Sequence, residues 1–311
     1  MNSNMQIIGK NILGPCVATI GTFDGVHKGH QFVLRQVFKE AHKNGFNSLV
    51  FTFSNHPLEV LSPESMPKQL SLLDEKTELI LSNGIDSVAI SEFTEELSMY
   101  SAKEFMQKIL KEQLNVKILI IGYDNHFGHD KKSFNDYVVY GKEMGIKVLL
   151  HQELHEDFKA SSSLIRNLLA EGDVNKANLV LGYNYYMQGK VINGFHIGKK
   201  IGFPTANIEV DNKKLIPMNG AYMVRASFMF NGKENSAIGM MNIGFRPTLG
   251  NGSQQSIEVH LFDFFEDIYG KMIKIEFLHF IRKEKRFNNI EELKEQLKSD
   301  EEICRYLAHK Y

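Results

Sequence analysis

The sequence predicts an α/β first half built on a mostly parallel, doubly wound sheet, followed by a small antiparallel β-barrel with terminal helices. Three observations carry this. Short apolar runs alternate with helical periods through the first 180 or so of the 311 residues, which is the pattern of strands joined by crossover helices. The texture changes after Tyr183: long helical periods vanish, and short segments of period two separated by glycine turns replace them. Helical periodicity returns only near the C-terminus. The length suits two domains, and the change of texture sets them at residues 1–182 and 183–311.

In the first half, Val17–Ile20 is an apolar run that reads as a buried strand, and Phe32–Phe38 has the spacing of an amphipathic helix ending near Asn44-Gly45. Ser48–Phe53 is a second short buried strand. Leu73–Leu81 is helical and stops at Asn83-Gly84, and Ser87–Ile90 is a candidate strand. Ser101 and Glu104 make a capping box that opens a helix to about Gln113. Val116–Gly122 is the most apolar strand of this half. Ser133–Met144 reads as helix, Lys147–Leu150 as strand, and Asp173–Gly182 as a connecting helix.

In the second half, Gly220–Phe230 leads into Asn231-Gly232, a strong hairpin signal. Ile257–Phe262 and Lys274–Phe280 alternate as half-buried strands. Ile290–Leu297 and Ile303–Lys310 read as two terminal helices.

Composition narrows the function class. With 36 Lys and Arg against 37 Asp and Glu, the net charge is −1, so nothing pulls the chain generally toward nucleic acid or a membrane surface. Cys16 and Cys304 form no motif, which fits a reducing compartment. The first residues lack the apolar stretch of a signal peptide, and no run is long enough to span a bilayer. A cytoplasmic protein is expected.

The stretch with the most chemistry is Gly21-Thr22-Phe23-Asp24-Gly25-Val26-His27-Lys28-Gly29-His30. It joins a strand to a helix N-terminus, where free backbone N–H groups and a partial positive charge suit a phosphate. Glycine lets backbone approach such a ligand closely. His27 and His30 are three apart and can point the same way from the first turn. Two imidazoles there can donate hydrogen bonds as charge builds in a transition state. A zinc pair and a merely structural turn remain open for these residues; a dinucleotide fingerprint does not, because G-x-G-x-x-G is absent.

Other stretches fall where ligands collect in such sheets. Ser54-Asn55-His56-Pro57 follows a strand, so His56 is either a site residue or a loop histidine. Tyr123–Lys132 follows the most apolar strand and reads either as a metal-binding loop or as a polar loop shaped by Asp and Gly. Ser161-Ser162-Ser163, with Arg166 one turn on, is first an N-cap and also a possible anion site. Gly198–Asn207 is not a Walker loop, yet Thr205 and Asn207 share one face of an extended chain and offer oxygen ligands suited to Mg²⁺ with phosphates. Glu258 lies on an alternating strand, where a Glu is ordinarily on the wet face.

Together these motifs resemble a known family over nearly the whole chain. Gly-x-Phe-Asp-Gly-x-His-x-Gly-His resembles the His-x-Gly-His signature of the nucleotidylyltransferases, in the form found in prokaryotic bifunctional riboflavin kinase/FAD synthetases. Gly122, Asp124, Phe127 and Gly128 match that family's second loop, where Asn125 and His126 depart from it; Asn55 departs from its Pro-His-Pro. Ser162, Ser163 and Arg166 resemble its Ser-Ser-Thr-x-Ile-Arg. Gly198-Lys199-Lys200-Ile201-Gly202-Phe203-Pro204-Thr205-Ala206-Asn207 resembles the riboflavin kinase motif, with Lys199 in place of the common Arg. Pro217–Tyr222, Asn242–Thr248, Glu258–Gly270, and Arg282, Glu284 and Phe287 resemble further kinase segments.

The resemblance implies a nucleotidylyltransferase fold followed by a barrel of riboflavin-kinase type. It implies ATP-dependent phosphorylation of riboflavin to FMN in the barrel, and adenylylation of FMN to FAD with release of pyrophosphate in the first domain. Glu258 would be the kinase base, with Thr205 and Asn207 holding Mg²⁺ and Gly198, Lys199 and Gly202 over the phosphates. Gly21, Phe23, Asp24, Gly25, His27, Gly29, His30 and Asp124 would serve adenylyl transfer, with Ser162, Ser163 and Arg166 on the pyrophosphate. His56, Arg282 and Phe287 would contact flavin. The implied small-molecule partners are riboflavin, FMN and ATP. Two other readings stay in view: a riboflavin kinase whose first domain has lost adenylylation, and a flavin-binding regulatory module without turnover.

Overall fold

The computed structural model describes residues 5–10, 14–122, 126–151, 160–193, 198, 201–247 and 253–309. The chain divides into two compact units, Met1–Ser161 and Ser162–Tyr311.

The first unit carries a six-stranded sheet in the order β1-β4-β3-β2-β5-β6. The strands are β1 (Met5–Gly9), β2 (Cys16–Ile20), β3 (Asn47–Phe53), β4 (Ser87–Ser91), β5 (Val116–Ile121) and β6 (Lys147–Leu150). From β2 to β6 every pairing is parallel; only the edge strand β1, which the hydrophobic pattern did not reveal, runs antiparallel to β4. All five residues of β2 are buried, as expected of a central strand covered on both faces. Cys16, Ala18 and Ile20 pack with Phe105, Met106 and Leu110 on one face, while Val17 packs with Leu34, Val37 and Ile80 on the other.

The helices that cover these faces are α1 (Lys28–Asn44), α2 (Leu58–Leu61), α3 (Leu73–Ser82), α4 (Glu95–Ser98), α5 (Ala102–Phe105) and α6 (Phe134–Met144). Gly45 ends α1 in the left-handed conformation, φ 68°. The Ser101–Glu104 capping box opens α5, which widens into a π-helical stretch, Met106–Gln113. From β2 the chain builds β3 and β4 to one side, then returns to build β5 and β6 on the other. The carboxyl ends of β2 and β5 therefore flank the topological switch point, where ligands of such sheets bind.

The second unit opens with α7 (Ser162–Ala170) and α8 (Val174–Leu181), then closes a six-stranded antiparallel barrel. Its strands are β7 (Tyr186–Ile192), β8 (Ala206–Val210), β9 (Gly220–Phe230), β10 (Lys233–Pro247), β11 (Ser253–Leu261) and β12 (Met272–Lys283), in the order β10-β11-β8-β7-β12-β9, with β9 pairing β10 to close it. The hairpin between β9 and β10 turns at Asn231 and Gly232, with φ of 50° and 74°, the left-handed pair such a turn requires. The helix over Asp173–Gly182 is more than a connector. Asn178 of α8 donates to the Phe277 carbonyl of β12 at 2.9 Å and accepts from the Tyr185 amide at 2.7 Å.

The C-terminus corrects one expectation. A single helix, α9 (Ile290–Ala308), replaces the two helices read from the pattern. The polar stretch between the two apolar segments contains Asp300, which is 1% exposed. Its carboxylate takes three hydrogen bonds of 2.8–3.0 Å from Arg282 and one of 2.9 Å from Gln296. The apparent break is therefore an internal anchor, and its partner carries the charge that makes its burial tolerable.

Candidate active sites

The turn after β2 builds the first site. Gly21 leaves the sheet with its amide on the Phe51 carbonyl at 3.1 Å. Phe23 and Val26 adopt φ of 50° and 35°, and Gly25 adopts 80°. For Val26, a β-branched residue, this is strained backbone, and such strain concentrates at functional sites. The strain is held from both ends. Phe23 and Val26 are buried in the core beneath α1, and Asp24 Oδ1 accepts from the Leu70 and Ser71 amides at 2.9 and 3.0 Å. The Gly25 amide donates to Ser71 Oγ at 2.9 Å.

His27 then caps α1. Its Nδ1 accepts from the His30 amide at 3.4 Å. An accepting Nδ1 on a neutral ring puts the proton on Nε2, so the cap fixes His27 as an Nε2–H donor. The His27 and His30 rings stack, with centroids 3.7 Å apart and planes 19° from parallel, and Phe23 lies 5.1 Å from His30. Gly29 leaves room for this arrangement: a Cβ there would meet the His27 ring at 3.2 Å, and the ring would have to yield. Burial pushes His27 down to about 4 and His30 well below its ordinary range, so both are neutral donors at pH 7. Among the described residues, no group of three His, Cys, Asp or Glu side chains is placed to hold a metal ion.

A cavity opens beside this turn, lined in part by Thr22, Asp24, Phe53, His56, Ser71 and Lys76. It thus unites Asp24 and His56, which the sequence singled out, with Ser71 and Lys76, which it did not. The His56 ring accepts from the Leu58 amide at 3.1 Å. Asn55, where the family has Pro, pairs both its amide atoms with the Phe93 backbone, at 2.7 and 3.0 Å, and so ties two loops together. In the second loop, Asp124 and Asn125 lie outside the described residues. His126, where the family has Arg, has Nδ1 3.0 Å from the Lys132 carbonyl. Phe127 stacks on Tyr137 at 4.4 Å. Ser162, Ser163 and Arg166 occupy the first turn and a half of α7 in the second unit.

The barrel carries the second site. Register sets Glu258 of β11 opposite Asn207 of β8, so both project to one side of the sheet. Thr205, two residues before Asn207, donates from Oγ1 to Glu258 Oε2 at 3.2 Å. With its proton turned to the carboxylate, the Thr205 oxygen keeps its lone pairs for another partner. The strap before β8 is held over this face. Phe203 is buried with Met223, Phe262 and Cys304, and its amide bonds the Gly198 carbonyl at 2.8 Å. A Cβ at Gly198 would lie 2.2 Å from the Phe203 carbonyl, so only glycine fits. His260, two residues along β11 from Glu258, donates from Nδ1 to the Pro204 carbonyl at 2.7 Å. Gly202 turns with φ 89°; Lys199 lies outside the described residues.

Arg282 and Phe287 are near one another, guanidinium to ring 5.8 Å, but the guanidinium is already engaged by Asp300. Glu284, between them in sequence, accepts from the Phe245 amide at 3.1 Å and from Asn219 at 3.2 Å, joining β10 to the turn before β9. The sequence pattern contains Glu284 without showing this tie. Lys76, Ser71 and His260 carried no sequence signal, because each acts through partners far along the chain.

Comparison with known proteins gives the chain its family. The family model for FAD synthetase matches residues 10–165, and that for riboflavin kinase matches residues 181–308. The bifunctional riboflavin kinase/FMN adenylyltransferase of Bacillus subtilis is 38% identical, covering 94% of this chain and 93% of that one. Its namesake from Pseudomonas fluorescens is 36% identical over the same shares. A solved structure titled as a macrolide-efflux protein from Streptococcus pneumoniae superposes with a TM-score of 0.86 at 30% identity, covering 95% of each chain. Its title names an efflux role, whereas both family models and the curated relatives name flavin enzymes. With the two family models matched in order along one chain, and these relatives aligned across nearly all of it, the chain belongs to the bifunctional riboflavin kinase/FMN adenylyltransferase family.

Proposed function

We propose that this chain makes FAD from riboflavin in two ATP-dependent steps. Two observations support the reading: a helix-capping pair of neutral histidines in the first unit, and a Thr–Glu–Asn constellation in the second.

In the barrel, Glu258 accepts the proton of the ribityl 5′-hydroxyl as that oxygen attacks the γ-phosphorus of ATP, giving FMN and ADP. Thr205 and Asn207 supply a hydroxyl and an amide oxygen, hard donors that fit Mg²⁺. When bound, the ion neutralises charge on the phosphates. The strap bearing Gly198, Lys199 and Gly202 covers the phosphates. Phe287 is assigned to the flavin ring, with Arg282 beside it.

In the first unit, an FMN phosphate oxygen attacks the α-phosphorus of ATP and pyrophosphate leaves. The Nε2–H of His27 and the ring of His30 donate to oxygens that gain charge, and α1 adds its N-terminal amides. Gly21, Phe23, Asp24, Gly25 and Gly29 shape the turn. Asp124 is assigned to the nucleotide and His56 to flavin; the assignment of Ser162, Ser163 and Arg166 to the departing pyrophosphate rests on the sequence resemblance alone.

A folding boundary near residue 183 remains the proposal for where the kinase begins. No helix among the described residues is long and apolar enough to cross a membrane. A cytoplasmic location is proposed on the strength of two buried, unpaired cysteines.

Incubation of the purified chain with riboflavin, ATP and Mg²⁺, followed by chromatography, tests the reading. FAD with transient FMN is expected. FMN alone would remove the adenylyltransferase, and unchanged riboflavin would remove both activities.

A further inference from the structure

Lys76 is a buried cation that the mechanism above does not use. It sits in α3 at 9% exposure, where lysine is rarely found without a partner. Its Nζ donates to the carbonyl of Phe53, the last residue of β3, at 3.0 Å. One carbonyl satisfies one of three N–H groups. The nearby carboxylate, Asp24, has Oδ1 engaged by two backbone amides. Lys76 lines the same cavity as Thr22, Asp24 and His56.

A second observation points the same way. His30 is close enough to feel the Lys76 charge, and its Nδ1 is buried without a hydrogen-bond partner among the described residues. An ammonium short of acceptors and an imidazole nitrogen short of a partner thus stand together at the carboxyl ends of β2 and β3. A group with several anionic oxygens complements both. The cavity's His56 lies on the flavin side of the assignment above, which favours the attacking phosphate over the triphosphate.

We propose that Lys76 contacts the phosphate of FMN in the adenylyl site, anchoring the nucleophile. This rests on the adenylyltransferase reading. In the free protein burial pushes the ammonium down to about 8, while Asp24 pulls it up; His30 and His56 are the other titratable groups around it, with Asp74 and Glu75 on its own helix. The charged form is therefore lost as pH rises through about 8, and a bound phosphate holds it charged.

The test uses the full chain and its Lys76→Met and Lys76→Arg variants, with FAD formation from supplied FMN as the readout. Lys76→Met should lower kcat/KM for FMN by roughly a hundredfold, the scale of one lost charge-stabilising donor, with the KM for ATP little changed. Lys76→Arg should recover much of it. In wild type, kcat/KM for FMN should fall above about pH 8, and Lys76→Arg should move that limb to higher pH. FMN formation from riboflavin should be equal in all three proteins, which reports correct folding. An unchanged kcat/KM for FMN in the Met variant, a loss confined to the KM for ATP, or an alkaline limb unmoved by Arg would overturn the proposal. Wild type that forms no FAD at all would overturn the adenylyltransferase reading instead.

Discussion

The Thr205 hydroxyl donates to Glu258 Oε2 at 3.2 Å across the β8–β11 pair. The contact orients the carboxylate proposed as the kinase base, because Thr205 fixes one of its oxygens. Glu258→Gln keeps the shape and removes the proton acceptor. FMN formation should fall by about 10²–10⁴. FAD formation from supplied FMN should persist, and FAD from riboflavin should fail. Parallel loss in both FAD assays would point to misfolding rather than to lost base catalysis.

His30→Ala removes one ring of the stacked pair and leaves the His27 cap. FAD formation from FMN should drop by roughly 10²–10³, the scale for loss of one transition-state donor. Riboflavin phosphorylation should survive. Adenylylation at the wild-type rate would strip the pair of its role.

The buried imidazole of His27 makes the first unit acid-sensitive. Unfolded, it takes a proton below about pH 6.5; folded, it refuses one until about pH 4. Between these values the unfolded state binds more protons, so stability falls as pH falls. One group shifted this far contributes about 1.4 kcal/mol per pH unit, or roughly 3 kcal/mol across the window. Denaturant midpoints for the first unit at pH 7 and pH 4.5 should separate more in wild type than in His27→Gln. Equal separation would place the acid sensitivity elsewhere.

Asp300→Ala leaves the Arg282 guanidinium, largely buried, without its carboxylate. The barrel should lose about 3 kcal/mol, as when one member of a buried pair is removed. Its melting transition should drop while that of the first unit stays put.

A fragment of residues 183–311 should fold and phosphorylate riboflavin. A fragment from Ser162 should melt higher, because it keeps α8 and the Asn178 bonds to Phe277 and Tyr185. Indistinguishable melting would make α8 a passenger.

The sequence made the sheet and the barrel legible because their signals are local: apolar runs such as Val17–Ile20, the cap at Ser101, the Asn231-Gly232 turn. The turn after β2 was legible for the same reason, its histidines being three residues apart. What stayed hidden depends on distant partners. The edge strand β1 is defined by β4, more than 70 residues on. Asp300 looks like a helix break until Arg282 is set beside it, and Lys76 looks like a solvated helix residue until Phe53 and Asp24 surround it.

The left-handed backbone at Phe23 and Val26 has a consequence for the proposed adenylyl site. Both side chains are anchored in the hydrophobic core, so the shape of the turn is decided by folding and not by ligand. The native fold carries the cost of that strained backbone in its stability, so the shape of the turn is in place before any ligand arrives. Amide exchange at residues 23–27 should accordingly be as slow in the empty enzyme as in the enzyme holding ATP, marking a binding site that does not wait to be induced.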